Sequence, residues 1–168
     1  VDEMSNRVVI GMDPHKRSVT IEVMTADETV VGGDRFGTDE AGFADLRRYV
    51  SRFPDRVWAI EGCNGIGHHV AVRLLAVGED VVDVPPKLSA RMRVFATGQG
   101  RKTDATDAHS VALVGTRIAG LRPVVDRRAA DGVAGPGRPS PLAGRGPHPD
   151  DVTGAPATAG ADPGRSQA

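Results

Sequence analysis

Short apolar runs separated by turn residues fill the first sixty or so positions of this chain. Val8-Val9-Ile10-Gly11-Met12 carries no charge and predicts a buried strand from Arg7 to Met12, followed by a turn at Asp13-Pro14-His15-Lys16. Val19, Ile21 and Val23 alternate with Thr20, Glu22 and Met24, the period of a second strand with one face buried. Ala26-Asp27-Glu28 predicts a hairpin turn into a third strand, Thr29 to Phe36. Phe43, Leu46, Val50 and Phe53 then recur at spacings of three, four and three, the stripe of an amphipathic helix ending near Phe53. Thr38 is its expected N-cap, with Asp39 and Glu40 in the first turn, where carboxylates favour the helix dipole.

Pro54-Asp55 ends that helix, and Val57 to Ile60 predicts a fourth strand. Gly62, Gly65 and Gly67 form a turn into a helix whose apolar face is Val70, Leu74, Leu75 and Val77, with Gly78 as its C-cap. Val81 to Val84 predicts a fifth strand, stopped by Pro85-Pro86. A basic helix from Lys87 to Ala96, a loop at Thr97-Gly98-Gln99-Gly100 and a last helix from Thr103 or Asp104 to Gly120 complete the order. A hairpin of strands followed by strand-helix alternation places the chain in the α/β class. Its mixed sheet is antiparallel at the hairpin and parallel beyond, flanked by helices. No internal repeat is seen.

Composition changes this picture only at the end of the chain. From Ala129 to Ala168, 24 of 40 residues are Ala, Gly or Pro, and the larger aliphatics are only Leu142, Val133 and Val152. Such a stretch cannot bury enough apolar surface to offset chain entropy, so residues 126–168 read as a disordered tail behind a folded body at 7–125. Charge is balanced, with 21 basic and 22 acidic residues, and does not itself announce nucleic acid. Locally, Lys87, Arg91, Arg93, Arg101 and Lys102 form a run without an acidic residue, suited to a phosphate backbone or to a solvated helix face. Cys63 has no disulfide partner, no apolar run reaches the ~20 residues of a membrane span, and the first residues lack a signal-peptide pattern. A cytoplasmic protein with no membrane partner is the expectation. The initial Val is compatible with a GTG start or a trimmed end.

Four acids carry the chemistry. Asp13 and Glu61 each close an apolar strand, and Asp104 and Asp107 stand one helical turn apart. A carboxylate at the end of a buried strand is costly unless a cation compensates it, and magnesium prefers hard oxygen ligands. Positions 104, 107, 111, 114 and 118 share one helix face, and the last three are Val111, Val114 and Ile118, so that face is expected to pack on the sheet. Against this, Asp104 and Asp107 also suit the capping of a helix start, and Asp13 an ordinary turn. Glu61 is the hardest to explain without a partner. In parallel sheets ligands gather at the carboxyl ends of strands, where Asp13 and Glu61 both fall.

The other candidates are weaker. Gly62-Cys63-Asn64-Gly65-Ile66-Gly67 reads as a strand-to-helix turn, or as a phosphate cradle. No Gly-Lys-Ser/Thr phosphate loop exists. Cys63 reads as a small packed thiol, and His68 and His69, adjacent on a helix, diverge too far for joint metal binding. His15 and Lys16 are placed to touch phosphate or merely to decorate a turn.

Ile10-Gly11-Met12-Asp13-Pro14-His15-Lys16, Ala59-Ile60-Glu61-Gly62 and Arg101-Lys102-Thr103-Asp104-Ala105-Thr106-Asp107-Ala108 resemble the signatures of the DEDD transposases of the insertion-sequence one-ten family, also called bridge recombinases. The resemblance covers about residues 7 to 125 and implies a ribonuclease H-like, RuvC-like fold. It implies that Asp13, Glu61, Asp104 and Asp107 are catalytic and hold two divalent ions, magnesium or manganese, for phosphodiester chemistry on DNA. Lys16, Arg91, Arg93, Arg101 and Lys102 are the expected nucleic-acid contacts. A guide (bridge) RNA and a homo-oligomer are further expectations from the family. The family's second domain, with its nucleophilic serine, has no counterpart here, and Ser110 does not match that serine. The text after Val125 reads like a shifted frame, so an incomplete or frameshifted transposase is the expectation. Two alternatives stay open: a nucleic-acid-binding remnant that does not cut, and a fragment of a sugar- or acetate-kinase-like ATPase.

Overall fold

A computed structural model describes residues 7–97 and 104–125, without the side chains of residues 96, 97 and 104. The loop expected at 97–100, Arg101, Lys102 and the tail expected to be disordered at 126–168 lie mostly or wholly outside the described residues. The elements are β1 (Val8–Pro14), β2 (Ser18–Met24), β3 (Val30–Gly37), α1 (Glu40–Val50), β4 (Arg56–Glu61), α2 (His68–Ala76), β5 (Val81–Val84), α3 (Pro86–Thr97), α4 (Asp104–Arg117) and β6 (Arg122–Pro123). They build one mixed sheet in the order β3-β2-β1-β4-β5-β6. The β1–β2 and β2–β3 pairs are antiparallel, β1–β4 and β4–β5 are parallel, and β6 returns antiparallel to β5. This is the expected α/β architecture with one strand more.

Several boundaries move, each for a local reason. β1 continues to Pro14 instead of stopping at Met12, because the hairpin ladder extends through Asp13↔Thr20 and Pro14↔Val19. Proline is tolerated there because it closes the strand. Asp13 is therefore a strand residue and not part of a turn. The N-cap of α1 is Asp39, not Thr38, with the Asp39 carboxylate accepting from the Gly42 N–H at 2.9 Å. The first helical bond runs from the Phe43 N–H to the Asp39 carbonyl at 3.0 Å, so the helix begins one residue later than expected. α1 also stops at Val50, short of Phe53. Val77 caps α2, and Gly78 follows it at φ 84°, the left-handed position that glycine adopts without strain.

The strand alternation divides the core between two helical layers. Ile10, Met12, Val19, Ile21, Trp58 and Ile60 point to one side, where Leu46 and Val50 of α1 and Val70, Ala71 and Leu74 of α2 cover them. Each fully buried large side chain of this kind stabilises the fold by roughly 1.5–3 kcal/mol. The Trp58 indole N–H is satisfied by Glu79 at 2.9 Å, and Glu79 is in turn held by Arg56. On the other side, Ala59, Val82 and Val84 pack with Val111 and Val114 of α4 and with Leu88 and Met92 of α3.

Helix α4 comes very close to the sheet. A Cβ placed on Gly11 would stand 2.3 Å from the Ala112 backbone nitrogen and 2.5 Å from the Ala108 carbonyl oxygen, and one on Gly115 would stand 2.7 Å from Ala59 Cβ and Val9 Cγ1. Residues 108 and 112 thus cross Gly11, and residue 115 crosses Val9, so α4 runs antiparallel to β1 with its first turn at the carboxyl ends of β1 and β4. Two side-chain contacts fix it laterally: His109 Nδ1 meets Glu22 Oε1 at 2.5 Å, and Arg117 donates to both Glu28 oxygens at 2.6 and 2.7 Å.

Replacing Gly11 by Ala should therefore lower stability by at least ~2 kcal/mol, because the atoms it meets are backbone and cannot swing aside. Gly65→Ala, whose added carbon meets only the Gly62 carbonyl at 3.6 Å, should change stability by no more than ~0.5 kcal/mol. Urea unfolding of the two variants checks this; equal midpoints would contradict the α4–β1 contact.

Candidate functional site

Register brings the first two acids together. Met12 pairs with Ile60 across the parallel β1–β4 ladder, so Asp13 and Glu61, each the next residue, end up side by side at the carboxyl edge of adjacent strands. Both share the sheet face of Gly11 and Ala59, the face that α4 covers. Asp107 lies in the first turn of α4, just before Ala108 crosses Gly11, and is 3% exposed. Three acids from separate regions of the chain thus converge on one edge and one face of the sheet. Asp104 starts α4 at the same edge, and its side chain lies outside the described residues.

Each described acid has a partner. Asp13, 7% exposed, has its Oδ2 3.1 Å from His15 Nε2. Glu61 Oε1 accepts from the buried Ser89 hydroxyl at 2.6 Å. Asp107 Oδ1 is ion-paired with the Arg93 guanidinium. Ser89 and Arg93 are four residues apart on α3, one helical turn, so this helix presents a hydroxyl and a cation to two different acids. Across the β1–β2 ladder from Asp13, Thr20 Oγ1 is buried without a hydrogen-bond partner among the described residues. Thr20 faces the α4 side, as its strand neighbour Glu22 does through His109.

The residues suit a hard cation. All the acids are oxygen donors, a positive group already neutralises one of them, and an orphaned hydroxyl beside Asp13 is the kind of atom that ion-bound water satisfies. As they lie, no three Asp, Glu, His or Cys side chains among the described residues form a ready cage. His15, Ser89 and Arg93 each hold one of the acids in a separate contact.

Of the expected phosphate contacts, Lys16 and Arg91 are exposed, Lys16 in the turn directly beyond β1 and Arg91 on α3. Arg93 is 17% exposed and turned onto Asp107. Arg101 and Lys102 lie outside the described residues. The Gly62–Gly67 turn is no open cradle: its Gly62, Cys63, Gly65 and Gly67 amides are spent on Val84, Asp83 and Gly62. His68 bonds the Cys63 carbonyl through Nδ1 at 3.2 Å, away from the acids. Ser110 is fully buried and bonds back to the Thr106 carbonyl at 2.8 Å within its own helix. Sequence reasoning missed Ser89 and Thr20, and it expected Arg93 as a nucleic-acid contact and not as the partner of Asp107. The i, i+4 spacing of Ser89 and Arg93 was the available signal, masked by the run of basic residues around it.

The family model that matches the chain, over residues 10–131, is that of the DEDD transposases of the IS110 type, described as a transposase. The chain belongs to this transposase family. No curated protein matches its sequence. Among solved structures, T. thermophilus RuvC in complex with a Holliday junction substrate is similar at 18% identity and a TM-score of 0.50, over 70% of this chain and 99% of that one. Another Thermus thermophilus RuvC structure is similar at 16% identity, with the same TM-score and coverage. At such identity the likeness shows the fold, which is RuvC-like and hence ribonuclease H-like. Membership of the transposase family makes this a domain of DNA transposition and recombination, a class of chemistry on DNA that implies dependence on a divalent metal. Family membership disfavours the kinase-like alternative. No helix among the described residues of the transposase is long and apolar enough to cross a membrane.

Cys63 of the transposase is buried, and burial, reinforced by the negative Asp83 beside it, pushes its thiol up to about 12. The reactive thiolate is therefore scarce at neutral pH. A disulfide-exchange reagent at pH 8 should label the unfolded chain quickly and the native chain at least ~100-fold more slowly. Rapid stoichiometric labelling of native protein would show the thiol to be accessible after all.

Proposed function

We propose that the carboxyl edge of β1 and β4 is the metal-dependent catalytic centre of this transposase, built from Asp13, Glu61 and Asp107 together with Asp104. Magnesium or manganese, in two positions, is the ion the donor set favours. The observation that carries the reading is the meeting of Asp13, Glu61 and Asp107 on one sheet edge and one face, from sequence positions nearly a hundred residues apart.

Each residue has a distinct task. Asp13 and Glu61 are held on neighbouring strands of a rigid sheet, which fixes the spacing of their carboxylates. α4 brings Asp107 and Asp104 to them as a unit, at a height set by Gly11. The His15 imidazole lies against Asp13 and orients its carboxylate. Lys16 and Arg91 hold the DNA backbone at the rim, adding positive charge where the phosphates pass. When bound, the ions supply Lewis-acid stabilisation to the attacking and leaving oxygens of the scissile phosphate. A guide RNA fits the same rim, because its phosphates carry the same charge. A homo-oligomer would present such an edge to each of two strands.

The test is manganese binding by electron paramagnetic resonance, alongside DNA binding. Asp13→Asn, Glu61→Gln and Asp107→Asn should each weaken manganese by more than the roughly tenfold that loss of an outer partner alone causes, and should abolish cleavage while DNA is still bound. Affinity should fall as pH drops, since protons compete for the same carboxylates. Replacing Lys16 and Arg91 together by Ala should lower the salt dependence of duplex binding by about two counterions. Unchanged manganese affinity in the Asp13 and Glu61 variants would remove the assignment.

A further inference from the structure

We propose that Arg93 is a built-in counter-cation of the catalytic edge: it and a divalent ion are alternative partners of Asp107, and the arginine displaced by metal is handed to a DNA phosphate. The proposal rests on the metal reading above and adds a role for α3 within it.

Asp107 is 3% exposed and Arg93 17%, so the pair sits largely out of water, where an unpaired carboxylate would be strongly disfavoured. Something positive must therefore accompany Asp107 whenever α4 is packed on Gly11. A divalent ion bound to the same carboxylate would lie within a side chain's length of the guanidinium, in a region with little solvent to screen two like charges. Both cannot stay. Arg93 is the mobile member of the pair: its side chain is long and single-stemmed, whereas Asp107 is fixed by a helix locked against the sheet.

The guanidinium has a way out: 17% of the Arg93 side chain is already exposed to solvent, whereas the Asp107 side chain is only 3% exposed. A guanidinium leaving Asp107 there reaches the rim where DNA phosphates pass, and its planar fork suits a phosphate as well as it suits a carboxylate. The exchange is charge-balanced: the metal takes the carboxylate and the phosphate takes the arginine. Metal and DNA binding then assist each other through a single side chain. Ser89, one turn earlier on α3, is neutral and can remain on Glu61.

Two measurements on the full chain test this. In manganese titrations without DNA, Arg93→Gln should bind the ion roughly fivefold more tightly than wild type or better, the lower end of ordinary coupling between competing ligands. Equal or weaker binding overturns the proposal and makes Arg93 a support of the site. In DNA titrations against salt, Arg93→Gln should match wild type in EDTA but show a slope lower by about one counterion when calcium is present; equal slopes in both conditions also overturn it. If the Gln variant does not fold, wild-type arginine side-chain resonances decide: one guanidinium signal protected in EDTA must move to the solvent-averaged position on adding magnesium, and a signal that stays put overturns the proposal. Absence of saturable manganese binding in the wild type would instead overturn the underlying metal assignment, which keeps the two failures apart.

Discussion

Helix α4 rests directly on the backbone of β1, and the contact exists because residue 11 has no side chain. A single methyl at that position would overlap the Ala112 nitrogen and the Ala108 carbonyl. Close approach of backbone to backbone fixes the height and direction of the helix more tightly than interdigitating aliphatic side chains could, since backbone has no rotamers to adjust. From this one contact follow the position of the first turn of α4 at the strand ends, the burial of Asp107, and the groove in which α3 lies against α4. Gly115 repeats the device two turns later, against Val9 and Ala59.

The carboxyl edge of β1 and β4 concentrates electrostatic cost. Asp13 and Asp107 are both buried, and Glu61 is half-buried. Soluble proteins rarely bury carboxylates without compensation. Here the compensation comes from three different partners, His15, Ser89 and Arg93, of which two lie on α3. A scaffold selected for stability alone would place apolar groups at these positions. The strand ends instead keep oxygen donors in place, the kind of local cost that the proposed metal-binding role would explain. The remaining ion pairs serve the scaffold. Glu28 adopts φ 67°, unusual for a residue with a side chain, and its two bonds to Arg117 hold both the hairpin turn and the far end of α4.

The elements were largely legible in the sequence, because apolar periodicity reports burial directly. Val81 to Val84 is a strand at the expected bounds, and Leu46, Val50, Val70 and Leu74 are buried as their spacing requires. The misses have identifiable causes. β6 consists of Arg122 and Pro123, residues with no strand signature, and it exists because the exposed edge of β5 accepts them. The helix face expected from Val111, Val114 and Ile118 is real, yet the closest approach to the sheet is made by Ala108, Ala112 and Gly115. Hydrophobicity patterns discount small residues, although small residues are the ones that let a helix come near.

By itself the sequence determined the order of strands and helices and marked Asp13, Glu61, Asp104 and Asp107 as unusual, since local patterning and the cost of burying charge are properties of neighbours along the chain. Only the tertiary structure decided that Asp13 and Glu61 stand side by side, because strand register depends on pairing partners about fifty residues away. It alone decided that Arg93 turns inward to Asp107 and that Ser89 meets Glu61, because the rotation of α3 is set by packing against α4 and the sheet. A run of positive charges reads the same whether it faces solvent or a buried acid. The difference lies in three-dimensional contacts that no spacing along the chain encodes.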